Sequence, residues 1–88
     1  MTKIADLLTD YRAAAAVLSR PGLSEGEIDD WNAAKWTAFD KIASRRAATH
    51  RCMAAKVLAA EQELKAENGE AAARMLQSLK IDLAGLVR

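Results

Sequence analysis

Little in these 88 residues can cross-link the chain, bend it sharply or charge it strongly. The single cysteine, Cys52, excludes an intramolecular disulfide and fits a reducing compartment. One proline and four glycines leave few points at which a helix is forced to stop. A formal charge of +1 excludes a global field that would draw the chain to nucleic acid or to an anionic membrane. The longest uncharged apolar run, residues 13–18, is six residues long, whereas a membrane span needs about 20. Near the N-terminus Asp6 and Asp10 interrupt any apolar leader, so no targeting signal is expected and a cytoplasmic location is.

What is abundant is alanine. Twenty alanines, with few β-branched residues outside the apolar stripes, mark an all-α protein. A chain of this length holds one domain, residues 1–88, and hides only about 60–65% of its unfolded surface. So thin a core favours oligomerisation, and a homodimer is expected.

The apolar pattern is organised around residues 24–64. On a 3.6-residue period Ile28, Trp31, Phe39, Ile42, Met53, Val57, Ala60 and Leu64 share one stripe. Its middle, residues 43–52, has no large apolar side chain. A second stripe precedes it, through Ile4, Leu7, Leu8, Tyr11, Ala15 and Leu18. A third follows, through Ala72, Met75, Leu76, Leu79, Leu83, Leu86 and Val87, with Ile81 pointing away. Thr2 and Thr49 are N-cap candidates, and Ser24 with Glu27 forms a capping box. Pro21-Gly22 and Asn68-Gly69 end helices.

These signals predict helices near 3–19, 25–46, 50–67 and 70–87, arranged as two antiparallel hairpins in a small bundle. Yet no glycine or proline interrupts residues 27–68, so helices 2 and 3 can also run on as one, about 60 Å long. That alternative is an elongated three-helix chain that dimerises about a two-fold axis near Thr49. Ordinary helix lengths favour the break, placed at residues 47–49. The expected core is Leu7, Tyr11, Trp31, Phe39, Ile42, Met53, Val57, Leu76, Leu79 and Leu83.

Several of these residues carry a resemblance. Trp31, the Ile42-Ala43 pair, Thr49, the run Ala54-Ala55-Lys56, and the closing Ser78-Leu79 and Asp82-Leu83 together resemble a group of short all-helical proteins of alphaproteobacterial type. Arg46 stands where that pattern often has proline. The group carries no known activity, so the resemblance implies a fold and nothing catalytic.

No constellation points to an enzyme. His50 and Cys52 at i, i+2 point to different sides of a helix, and no second His or Cys exists to complete a metal site or orient a nucleophile. Glu25, Glu27, Asp29 and Asp30 fill a first helical turn, where the helix dipole explains them. Glu61, Glu63, Glu67 and Glu70 are the usual decoration of a solvated face, with Glu61 and Lys65 spaced for an i, i+4 pair. No cofactor and no metal is expected.

Two features remain as candidates. Lys41, Arg45, Arg46, Arg51 and Lys56 stand with His50 in a stretch without acids, a possible phosphate-binding patch. Without base-reading side chains, any such binding is non-specific. Trp36, at the border of the apolar stripe, is either a partner-binding anchor or a cover for the core's edge. The function expected is a small non-enzymatic interaction module, oligomeric or adaptor. The alternative is an accessory nucleic-acid-binding protein using residues 41–56.

Overall fold

Residue 45 decides between one central helix and two. The computed structural model describes residues 3–87, and its helices are α1 (Ile4–Leu18), α2 (Glu25–Ser44), α3 (His50–Lys65) and α4 (Gly69–Val87). Arg45 is extended, with φ −89° and ψ 141°, and α2 ends one residue before it. Ser44 Oγ turns back to donate to the Lys41 carbonyl at 3.1 Å. Thr49 then caps α3, accepting the Cys52 amide at 3.2 Å. Between these ends Ala47 is buried among the core side chains. The break thus needs no proline: a capped start and a buried alanine replace the few intrahelical hydrogen bonds lost.

The other ends follow local chemistry. Ser24 Oγ accepts the Glu27 amide at 3.2 Å and Glu27 Oε1 accepts the Ser24 amide at 3.4 Å, closing the capping box. Pro21 and a left-handed Gly22, φ +85°, turn the chain after α1. Thr2, the expected cap of α1, lies outside the described residues; Lys3 holds the N-cap position without a side-chain cap. The end of α3 corrects the sequence reading. The left-handed residue is Glu67, φ 60°, and Gly69 already belongs to α4. The Asn68 amide donates to the Glu63 carbonyl at 2.8 Å and the Glu67 amide to that of Leu64 at 3.1 Å, a Schellman pair. Asn68 Oδ1 then accepts the Ala71 amide at 3.3 Å and starts α4.

α1 pairs with α2 and α3 pairs with α4, two hairpins stacked with α1 against α3 and α2 against α4. Asp40 meets Arg74, Ala43 meets Ser78 and Arg46 meets Gly85, so α2 and α4 run in the same direction. The body measures 49 × 29 × 15 Å, the last being two helix layers. Between the layers Phe39 has no exposed surface, with Trp36 edge-on at 5.3 Å and Tyr11 at 5.8 Å. Leu7, Tyr11, Ile42, Met53 and Met75 complete the centre.

Four expected core residues are not in it. Trp31 is 38% exposed, and Val57, Leu76 and Leu83 are about 44–45% exposed; Leu79 is partly buried. α3 reaches α2 at Lys35, whose ammonium lies 3.1 Å from Glu63, and Trp31, one turn nearer the start of α2, is left partly exposed. Val57, Leu76 and Leu83 miss burial because α3 and α4 are rotated to turn Met53, Lys56, Ala59, Glu63, Met75 and Asp82 inward.

Candidate functional site

The inward face of α3 is unusual in carrying charge. Lys56 has no exposed surface, Glu63 is 1% exposed, and Asp82 on α4 is buried with them. Lys56 Nζ stands 2.6 Å from Asp82 Oδ2 and donates to Ser78 Oγ at 2.7 Å. Ser78 Oγ in turn donates to the Ala43 carbonyl at 2.5 Å, tying α3 and α4 to the last turn of α2. A second cluster gathers on Glu63. Tyr11 donates a short hydrogen bond to its Oε2, Lys35 pairs with the same oxygen, and Asn68 Nδ2 reaches Oε1 at 3.5 Å. Among the described residues no buried side-chain nitrogen or oxygen lacks a partner. Both clusters are therefore networks in which each buried polar atom has at least one partner, and they join the helices.

This corrects two readings of the sequence. Glu63 does not decorate a solvated face, and Lys56 leaves the basic patch, since its ammonium is enclosed and paired. The other members are placed separately. Lys41 and Arg51 are exposed, and Arg45 is partly buried and engaged in contacts of its own. Arg46 lays its guanidinium over Gly85, where an added Cβ would stand 2.6 Å from Nη2. That brings a cation to the last turn of α4, which has no basic residue itself. A cleft of about 570 Å³ opens here, between Arg45, Arg46 and Ser44 on one side and Ile81 and Gly85 on the other.

Trp36 covers the core's edge. It packs on Phe39, and Lys35 Nζ sits 4.6 Å from its ring centre. His50 is exposed and Cys52 partly buried; among the described residues no three His, Cys, Asp or Glu side chains gather to hold a metal ion. Nor, among those residues, is any helix long and apolar enough to cross a membrane.

The largest unexplained feature is apolar. Met53, Val57, Ala60 and Leu64 on α3 follow a 4-3-4 spacing, and Ala72, Leu76, Leu79, Leu83 and Leu86 on α4 follow 4-3-4-3. In each stripe the positions alternate as far as Leu83, beyond which Leu86 is exposed as well. Met53, Ala60, Ala72 and Leu79 turn into the hairpin seam, while Val57, Leu64, Leu76 and Leu83 stay 44–56% exposed on the face away from α1 and α2. Sequence reasoning saw these stripes but took them for core. The buried charges had a signal too: Lys56 and Glu63 fall seven residues apart on one face, with only small side chains, Ala59 and Ala60, between them.

Burial raises the Tyr11 hydroxyl far above its ordinary pKa of 10.0, and the hydrogen bond and charge of Glu63 raise it further. The folded chain thus keeps a proton that the unfolded chain releases above pH 10. Tyr11 contributes its full stability below pH 10, and that contribution falls as pH rises further. Tyr11→Phe is expected to cost about 1.5–3 kcal/mol at pH 7, the worth of a hydrogen bond to a charged group. It should also flatten the loss of stability above pH 10, as read from urea melts across that range.

No family model, curated protein or solved structure matches this chain.

Proposed function

We propose that the chain is a small non-enzymatic helical interaction module, an oligomeric or adaptor protein of the cytoplasm. The observation that carries this reading is the outer face of the α3–α4 hairpin. Val57, Leu64, Leu76 and Leu83 are exposed together at coiled-coil spacing, and large exposed apolar patches mark interaction sites. The buried polar networks support the same reading, because they join the helices. The single, partly buried Cys52 fits a reducing compartment. The resemblance to short helical proteins of alphaproteobacterial type adds a fold of the same kind.

The competing reading, an accessory nucleic-acid-binding protein, keeps four of its five cations: Lys41, Arg45, Arg46 and Arg51. Fluorescence polarisation with a labelled DNA duplex over a salt series separates the two. The interaction module binds no duplex even at about 50 mM salt. Binding that weakens steeply with salt, and that Arg46→Ala with Arg51→Ala abolishes, would replace it with the nucleic-acid reading.

A further inference from the structure

We infer that the outer face of the α3–α4 hairpin is covered by a second copy of this chain, in a two-fold dimer that sets α3 of each copy against α4 of the other. The inference rests on the interaction reading and names its partner.

Three observations select a second copy. The first is register. Lys56 stands opposite Ser78 and Asp82, which puts Val57 level with Leu79 and Leu64 level with Ala72. Along the outer face the exposed side chains therefore come in the order Leu83, Val57, Leu76, Leu64, alternately from α4 and α3. A two-fold axis parallel to the helices lays α3 over the partner's α4 without any slide. Val57 then enters between the partner's Leu76 and the partner's Leu83, as a knob enters a hole.

The second is charge. The edge of the face on α3 carries Glu61, exposed and paired along the helix with Lys65 at 3.1 Å, and the edge on α4 carries the exposed Lys80. The same axis brings these edges together. Lys80 is level with Lys56, so Glu61 and the partner's Lys80 are offset by about five residues, roughly 7.5 Å along the helix, within reach of two long side chains. Each dimer contains this pair twice. An axis across the helices would instead set α3 on the partner's α3, with Glu61 beside its own copy's edge. The alanines Ala54 and Ala73, exposed on the two margins, allow close approach.

The third is closure. The opposite side of the body presents polar residues of α1 and α2, among them Asp6, Arg12, Asp30 and Lys41. The exposed apolar side chains of α2, Ile28 and Trp31, lie on another element, whereas the α3–α4 face meets its own copy; such a contact is isologous, and assembly through it stops at two.

Light scattering and sedimentation equilibrium of the full chain test this. The expected particle has twice the 9.5 kDa chain mass. Leu76→Glu with Leu83→Glu should weaken the dimer by at least about 100-fold, since each substitution enters the contact twice. Circular dichroism should keep its helical signal, because both side chains are half-exposed in the single chain. Glu61→Lys should weaken the dimer about 3- to 10-fold, and adding Lys80→Glu should restore it, because only the α3-to-α4 arrangement regains opposite charges. A monomer at high concentration, a dimer indifferent to the leucine substitutions, or a failure of the charge swap to restore association would each overturn the inference. Duplex DNA binding would remove the interaction reading itself, whereas a monomer that binds no DNA removes the dimer alone.

Discussion

Phe39→Ala is expected to unfold most of the domain at physiological temperature. Phe39 has no exposed surface, and it touches both hairpins: Tyr11 of α1 and Trp36 of α2 pack on its ring, and the Arg74 guanidinium of α4 lies 5.4 Å from its centre. Truncating such a residue removes its transfer free energy and leaves a cavity that rigid helices cannot close, together about 3–5 kcal/mol. A domain of 88 residues sits near the low end of the usual 5–15 kcal/mol. Each kcal/mol shifts the melting temperature of so small a domain by about 4–8 °C. Thermal melts at one fixed protein concentration should therefore fall by well over 10 °C. A variant melting within a degree or two of the parent would show that Phe39 does not hold the layers together.

Lys56→Met should be nearly as damaging, for an electrostatic reason. Methionine fills the volume but leaves the Asp82 carboxylate buried without its cation, a loss of about 3–5 kcal/mol. The diagnostic variant is the double one, Lys56→Met with Asp82→Leu. Removing both charges removes both desolvation costs, and Ser78 keeps a partner in the Ala43 carbonyl. The double variant should regain most of the parent's stability or exceed it. Urea melts of the four proteins give the coupling energy directly. Additive losses would mean that Lys56 and Asp82 act independently and that the pair is not a closed buried unit. The same series bears on function, since a Lys56 held in the core cannot contribute to phosphate binding.

The helices were legible because their signals are local. Ser24 and Glu27 are three residues apart, Pro21-Gly22 sits where α1 must turn, and the 3.6-residue stripes set every segment in its place. Helix ends were less legible where the stop was not a glycine. Ser44 ends α2 and Glu67 adopts the left-handed conformation at the end of α3, both exposed residues at ends closed by local hydrogen bonds that no glycine announces.

Rotation was not legible at all. Periodicity says which residues share a stripe, but a stripe on a helix can bury either edge. On α3 the edge through Met53, Lys56 and Glu63 goes inward and the edge through Val57 and Leu64 stays out. The choice is made by partners distant in the chain: Asp82 lies 26 residues from Lys56, and Tyr11 lies 52 from Glu63. From sequence alone each of those charges looks like a solvated surface group, and the leucines beyond them look like core. Composition, caps and periodicity determined an all-α chain and favoured four helices in two hairpins over one continuous central helix. Only the packing of one hairpin on the other decided that the chain breaks at residue 45, that its ion pairs lie inside, and that an apolar face is left on α3 and α4. The physical reason is that a helix forms from contacts three and four residues apart, whereas the way it turns against its neighbours is set by contacts the chain makes only once it has folded.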